Sequence, residues 1–332
     1  MRILVTGASG CIGHYICETL IQETEHELYL LVRNPNKLQV NTQYRPGITV
    51  LQGDMKEIEH QADLLKTIDT AVLTATSWGG EDIFDINVNK TLELLNLLDQ
   101  TRCQQVIYFS TASVLDSHNK LLKQAGEIGT DYIRSKYECI TKISELAMPK
   151  ARAKPYAPQI TVLLPTLVLG GDRQKPYSHL SAGLSEVPKW MNLARFFQVD
   201  GSFHFIHGRD IAQVVRYLID NPPSNQPRQF VLGQKQITVN QAIEEICTYL
   251  NKKTYFQIPL YLSLANLFIV LFRIQMATWD RFCLQYRHFT YENVINPDSF
   301  GLPNYCPTLT DVLKISGIPP SIKNSSINTR NS

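Results

Sequence analysis

The sequence predicts an α/β protein: a Rossmann-type, doubly wound parallel sheet with a smaller C-terminal substrate-binding lobe. Three observations carry that expectation. Short apolar runs alternate with longer amphipathic ones through the first half of the chain, as in βαβ units. A glycine-rich turn, Thr6-Gly7-Ala8-Ser9-Gly10-Cys11-Ile12-Gly13, follows directly on the first apolar run. At 332 residues the chain can bury a large core, as one large domain or as a core domain with a lobe.

Strands are expected at Arg2–Val5, Leu28–Val32, Thr49–Leu51, Thr70–Thr74, Gln105–Ser110 and Ile160–Leu164. The segments between them space apolar residues by three and four, as helices do. Ile12, Tyr15, Ile16 and Leu20 form one stripe, and Leu92, Leu95 and Leu98 contribute to another. After Gly170 the pattern changes: Gly171–Ser202 is rich in Pro, Gly and aromatic residues and reads as irregular substrate-side structure. Order returns at Phe203–Asp220, a short strand and then a helix for which Asp210 is the expected cap. Phe230–Leu232 can add a strand. Thr238–Leu250 reads as a helix, with Thr238 and Gln241 forming a capping box. The expected division is therefore a dinucleotide-binding domain over 1–170, its core continued by 203–235, a mostly substrate-binding lobe over 171–320, and a polar, disordered tail over 321–332.

Composition narrows the function. Hydrophobic residues are 44% and charged residues 19%, with a formal net charge of +2 and no dense Lys/Arg stripe, so nucleic acid is not an expected partner. The seven cysteines are scattered without metal-binding spacing. With a core strand where a signal peptide would sit, they read as reduced thiols in a cytoplasmic protein. One segment, Ile258–Ile274, is strongly apolar but interrupted by Pro259, Ser263, Asn266 and Arg273, and it falls short of a bilayer span. It reads first as a buried or pocket-lining helix and second as a candidate for peripheral membrane contact.

Each glycine of the turn has a reason. Gly7 permits the tight turn, Gly10 lets the backbone approach a pyrophosphate, and Gly13 allows close helix–strand packing. The helix that follows presents its N-terminal N–H groups to the phosphates, so Ser9, Cys11 and Ile12 join the three glycines as candidate cofactor contacts. The GxxGxxG spacing differs from the GxGxxG of many flavoproteins, which argues against FAD. After the second strand comes Val32-Arg33-Asn34, with no carboxylate for a ribose diol. A guanidinium at Arg33 suits a 2′-phosphate, so NADP is favoured over NAD; the alternative is that Arg33 is a solvated loop charge. Asp54 and Met55, after the third strand, are placed at the adenine.

Tyr132 and Lys136 stand four residues apart in a stretch that reads as helical to Leu146, and so share a face. A free phenol is a poor base at neutral pH, and a neighbouring ammonium should lower its pKa. Phe109-Ser110-Thr111-Ala112-Ser113-Val114 closes a strand where open α/β sheets hold ligands, and a hydroxyl there can bond a substrate oxygen.

Taken in order, these segments resemble the extended short-chain dehydrogenase/reductase family, of the NAD-dependent epimerase/dehydratase kind. The resemblance covers roughly Met1–Leu250 and also includes DINVNKT at Asp85–Thr91, LPTLVLG at Leu164–Gly170 and FIHGRDIA at Phe205–Ala212. It implies Thr111 as the hydroxyl that polarises the substrate, with Ser113 as its rival, and Tyr132 as general acid/base. Lys136 would hold ribose and tune the tyrosine, and Asn87 would sit in the supporting helix. Ala75, Thr76 and Pro165 would line the cofactor. Homodimers through a helix bundle are common in that family.

Departures bear on the substrate. Where family members acting on nucleotide sugars often carry VYG, this chain has Val114-Leu115-Asp116. Ala112-Ser113 replaces the acidic pair of the dehydratases, which disfavours elimination, and Leu164 replaces a frequent arginine. The expectation is therefore a carbonyl–alcohol oxidoreductase with a small, rather apolar substrate. An epimerase using the same groups and a non-catalytic dinucleotide-binding assembly or regulatory protein are the alternatives. Trp78, Trp190 and Phe197 are pocket candidates, with a core or lid role equally open. His204 and His207 read as packed or hydrogen-bonded histidines.

Overall fold

The structure, a computed structural model, describes residues 1–147, 158–222, 228–254, 256–271 and 275–320. The expected tail over 321–332 therefore lies outside the described residues, as does the end of the apolar segment at 272–274. Along the chain the strands are β1 (Arg2–Thr6), β2 (Glu27–Val32), β3 (Ile48–Gln52), β4 (Thr70–Leu73), β5 (Gln105–Phe109), β6 (Gln159–Pro165), β7 (Leu167–Leu169), β8 (Phe197–Gln198), β9 (Ser202–Phe203), β10 (Phe205–His207), β11 (Arg228–Leu232), β12 (Ile237–Thr238), β13 (Ile258–Pro259) and β14 (His288–Phe289). The helices are α1 (Cys11–Glu23), α2 (Ala62–Leu65), α3 (Thr91–Leu97), α4 (Lys123–Ile128), α5 (Asp131–Ala147), α6 (Val187–Ala194), α7 (Gly208–Asp220), α8 (Val239–Tyr249), α9 (Leu262–Leu271), α10 (Thr278–Tyr286) and α11 (Leu309–Ile315).

Seven strands form one parallel sheet in the order β11-β6-β5-β4-β1-β2-β3. Its central strands are apolar runs because both faces are covered: every residue of β4 and β5 is buried. On one face Ile3 and Val5 meet Tyr15, Ile16 and Leu20 of α1 and Val215 and Leu218 of α7. On the other, Leu4 joins Leu94 and Leu95 of α3 and Ile140 and Ile143 of α5. The strand order reverses between β1 and β4, so a crevice opens beyond their C-terminal ends. Smaller pairings, β7 with β10, β9 with β12 and β14, and β8 with β13, build the remainder.

All the expected strands are present, with ends shifted by a residue or two. The capping box at Thr238 and Gln241 is also formed. Three expectations fail. Asp210 is not the cap of α7: that role falls to His207, whose Nδ1 accepts from the Arg209 N–H at 3.2 Å. Asp210 instead lies fully buried in the first turn, accepting from the backbone N–H groups of Tyr305 (2.6 Å) and Cys306 (3.1 Å) and tethering the C-terminal segment. Gly171–Ser202 is not wholly irregular, because it contains α6, a short helix opened by Pro188 that buries Met191. Among the described side chains of the apolar segment none is buried and none lines the cavity described below, unlike the buried or pocket-lining helix expected. Ile258 is 47%, Tyr261 68% and Leu271 66% exposed. No helix in the described residues is long and apolar enough to cross a membrane.

Candidate active site

The crevice at the sheet reversal widens into a cavity of about 730 Å³, a size usual for small-ligand sites. Its floor is the turn between β1 and α1. Gly7 has φ 68°, and a Cβ there would lie 2.6 Å from the Ala75 nitrogen. A Cβ on Gly13 would lie 2.2 Å from the Gly7 oxygen, so α1 packs this close only without a side chain. Around Gly10 the nearest neighbour of an added Cβ is the Gly7 oxygen at 3.3 Å, and Gly10 itself borders the cavity. α1 starts with no side-chain cap and no acid in its first turn. Its N-terminal N–H groups and partial positive charge are thus open to an anion.

Ser9, Cys11 and Ile12 line the same end. Burial, with Asp172 nearby, pushes the Cys11 thiol up to about 12, so no thiolate opposes a phosphate there. His14, fully buried, accepts from the Gln39 N–H at Nε2 (3.0 Å), which leaves the proton on Nδ1 to be donated to the Gly10 carbonyl (3.0 Å). That imidazole ties the loop after β2 to the glycine turn. The loop brings Arg33 and Lys37 to the cavity wall, which Asp54 and Met55 also line. The Asp54 carboxylate accepts from the Lys56 N–H at 3.1 Å. Ala75 and Thr76, past β4, complete the middle of the wall.

Thr111, Ser113, Tyr132, Lys136 and Pro165 line the far end together. Thr111 caps the short turn of helix after β5: its hydroxyl accepts from the Ser113 N–H and donates to the Ser113 hydroxyl, both at 3.3 Å. α5 carries Tyr132 and Lys136 one turn apart on its cavity face. The Lys136 ammonium donates to the Phe109 carbonyl at 2.9 Å and lies 5.1 Å above the Tyr108 ring. Burial drives its pKa down to about 8. The Trp78 indole stacks on the Tyr132 ring, centroids 4.1 Å apart and planes within 18°, and meets His179 edge-on at 4.2 Å. Burial raises the Tyr132 pKa. The expected lowering of that pKa by the ammonium is therefore not found: burial sets the shift, and the ammonium is turned to the Phe109 carbonyl.

Asn87 does not line the cavity. It lies fully buried behind it, in a π-helical stretch (Asp85–Lys90) leading into α3. Its Oδ1 accepts from the Thr76 hydroxyl (3.0 Å) and the Ser77 N–H (2.7 Å). Its Nδ2 donates to the Ser77 carbonyl (2.9 Å) and the Ser135 hydroxyl (3.0 Å), and Ser135 in turn donates to the Tyr132 carbonyl (2.8 Å). One amide thus joins the loop after β4 to the helix that carries Tyr132 and Lys136.

Sequence reasoning missed Lys37, Ser110, Thr130, Tyr177, His179 and Trp279, all of which border the cavity. A second cation four residues after Arg33 was a usable signal for Lys37. Trp279 enters from α10 and carried no local signal. Trp190 and Phe197 do not line the cavity; Trp190 is 65% exposed on α6. His204 is a satisfied histidine, its Nδ1 facing the Gln234 carbonyl at 2.8 Å and its Nε2 accepting from the Tyr291 N–H at 3.3 Å.

The profile of the NAD dependent epimerase/dehydratase family matches residues 3–233. A 3-beta-hydroxysteroid dehydrogenase of Mycolicibacterium neoaurum is 31% identical over 125 residues, which span 34% of this chain and 33% of that protein. The chain thus aligns with only about a third of the length of that curated relative. A UDP-glucose 4-epimerase of Klebsiella pneumoniae is 30% identical over 138 residues, 36% of this chain and 96% of that protein. Among solved structures, dTDP-glucose 4,6-dehydratase from Bacillus anthracis in complex with NAD superposes with a TM-score of 0.64 at 14% identity, covering 96% of both chains. UDP-glucuronic acid 4-epimerase from Bacillus cereus in complex with NAD superposes with a TM-score of 0.60 at 18% identity, covering 95% of this chain and 96% of that one. At these identities the superpositions establish the fold.

Proposed function

From the premise that this chain belongs to the NAD-dependent epimerase/dehydratase family, we propose that it is an oxidoreductase interconverting a carbonyl and an alcohol on a small apolar substrate. The observation that carries the reading is that Thr111, Tyr132 and Lys136 border the same cavity as the uncapped glycine turn. The residues fit a nicotinamide dinucleotide. The open N-terminus of α1 suits its pyrophosphate. The Ser110 hydroxyl, 5% exposed at the cavity wall and unpaired among the described residues, offers a donor that a bound polar group would satisfy.

When bound, the nicotinamide supplies the hydride donor or acceptor. The protein's part is then to hold and move one proton and to fix the substrate oxygen. With its pKa raised, Tyr132 rests as the phenol, ready to donate to an oxygen that gains charge as the carbonyl is reduced. Thr111 or Ser113 donates the second hydrogen bond to that oxygen. The Lys136 ammonium, already fixed by the Phe109 carbonyl, is in place to bond a ribose hydroxyl. Asn87 positions rather than touches.

The substrate side is supplied by Trp78, Leu167, Tyr177, Leu180 and Trp279, and the cavity's cations other than Lys136 are Arg33 and Lys37 at the opposite end. That distribution favours an apolar substrate over a nucleotide sugar, whose diphosphate would need a cation near the reacting ring. Pro176–Leu180 and Trp279 come from beyond residue 171, which supports a substrate-binding lobe over 171–320. The two cations at the adenosine end, with no carboxylate after β2, support NADP over NAD.

The test is a carbonyl-substrate screen followed by loss of reduced-nicotinamide absorbance. Tyr132→Phe should lower kcat by about 10²–10⁴-fold with cofactor binding unchanged. Full activity in that variant refutes the assignment, and turnover of substrate without net change in reduced nicotinamide identifies an epimerase instead. Arg33→Ala should weaken NADPH binding and leave NADH binding as it was.

A further inference from the structure

The exposed apolar face that the fold leaves on α6 and on residues 256–271 belongs to no part of the cavity. On α6, Trp190 (65% exposed) and Leu193 (60%) lie one turn apart on the face opposite buried Met191. Phe256 (72%), Ile258, Tyr261 and Leu271 are exposed on the second stretch. The fold ties the two together. β13 pairs with β8 just after α6, the Arg195 guanidinium donates to the Lys253 carbonyl at 3.1 Å, and the Phe196 and Phe256 rings lie 6.5 Å apart. The Lys252 ammonium reaches the Asn192 side chain.

The charge on these stretches is one-sided. Residues 187–199 and 246–279 contain no Asp or Glu and hold Lys189, Arg195, Lys252, Lys253 and Arg273. Lys189 is paired at 2.8 Å with Glu186 at the start of α6, whereas Arg195, Lys252 and Lys253 meet no carboxylate among the described residues. Arg273 lies outside the described residues. α9 itself has no charged residue along its ten positions. Exposed Trp, Tyr, Phe and Leu side chains flanked by Lys and Arg, with no acid among them, match an interfacial anchor at an anionic lipid surface. A protein partner or a second copy would not require acids to be absent from both stretches.

The patch also leads to the cavity. Leu180, 48% exposed at the cavity mouth, stands just before the helical turn (Ser181–Glu186) that runs into α6, and Trp279 lines the cavity from the first turn of α10, shortly after α9. We infer that α6 and residues 252–254 and 256–271 form a docking face for an anionic membrane surface, which holds the cavity mouth near the bilayer.

The test is flotation of the full chain with vesicles of equal parts phosphatidylcholine and phosphatidylglycerol, against vesicles of phosphatidylcholine alone. The chain should float with the anionic vesicles and be released by high salt. Lys252→Gln and Lys253→Gln should each lower the partition about fivefold. Trp190→Glu with Leu193→Glu should abolish it, with an unchanged circular dichroism spectrum and urea midpoint as proof of folding. A chain that stays with the soluble fraction, or flotation unchanged in the Trp190/Leu193 double variant, overturns the proposal. A concentration-dependent dimer that this variant dissociates, without vesicle binding, makes the face an interface between copies. Neither cofactor nor substrate enters the assay, so its outcome is independent of the carbonyl screen.

Discussion

Replacing Asn87 tests whether the wall of the cavity and the helix bearing Tyr132 are one mechanical unit. Its amide makes four hydrogen bonds, two accepted from Thr76 and Ser77 and two donated to Ser77 and Ser135, at a site with no solvent exposure. A typical intramolecular hydrogen bond contributes about 1 kcal/mol net, and a buried group left unpaired costs about 1–3 kcal/mol. Thr76 and Ser77 are only partly buried, so water can satisfy them in part, whereas Ser135 is fully buried. Asn87→Ala should therefore cost about 3–4 kcal/mol of stability, measured by urea unfolding. Asn87→Asp should separate bonds from volume. Two acceptor contacts persist, but a carboxylate oxygen now faces the Ser77 carbonyl, so its deficit should be larger at neutral pH than in acid. Because Ser135 also bonds the Tyr132 carbonyl, either change should tilt α5 and lower kcat/KM about 10–100-fold, as small misplacements of reacting groups do. A loss below about 1 kcal/mol, with kcat/KM within twofold of the parent, would refute the coupling of wall and helix.

Two further predictions concern the same end of the cavity. Lys136, its pKa pushed from 10.5 down to about 8 by burial, binds its proton less tightly folded than unfolded. Between those two values the unfolded chain holds the proton and the folded chain does not, so stability should rise with pH through that window, the full cost of about 3 kcal/mol being borne below it. Lys136→Met should remove that pH dependence and raise stability at neutral pH while abolishing turnover; a variant less stable than the parent in urea at pH 7 would contradict the burial argument. Trp78→Ala removes a ring stack of about 0.5–1.5 kcal/mol over Tyr132. It should shift KM for apolar carbonyl compounds by several-fold with a smaller change in kcat, and an unchanged KM across a substrate series would exclude Trp78 from the substrate side.

The sheet was legible because each central strand is an apolar run set off from a helix of a different period, and both signals are local. The glycine turn, Thr111, Tyr132 and Lys136 were legible for the same reason: each lies where a strand ends or a helix begins. What escaped were convergences. Trp279, His179 and Lys37 reach the cavity from separate segments, and no spacing within any one segment encodes that meeting. Asp210 looked like a cap because it follows a strand, but its partners, Tyr305 and Cys306, lie far along the chain. The apolar character of residues 258–274 was plain, yet hydropathy alone cannot say whether such a stretch faces inward or outward, and here its described flanks face outward. The altered acidity of Tyr132 was hidden too, since burial sets it and the indole stacked on its ring arrives from another loop.

The place of β11 at the rim of the sheet has a consequence for synthesis. β6 keeps an unpaired edge until residues 228–232 arrive, and the outer face of α1 stays bare until α7 packs on it. A ribosome must therefore deliver nearly two-thirds of the chain before the first helix is covered, and contacts so distant in sequence close slowly. Any cut upstream of Leu232 leaves β6 as an open template for a neighbouring chain. Truncations ending just before β11 should aggregate, while those ending beyond the Asp210 tether at Cys306 keep the sheet closed.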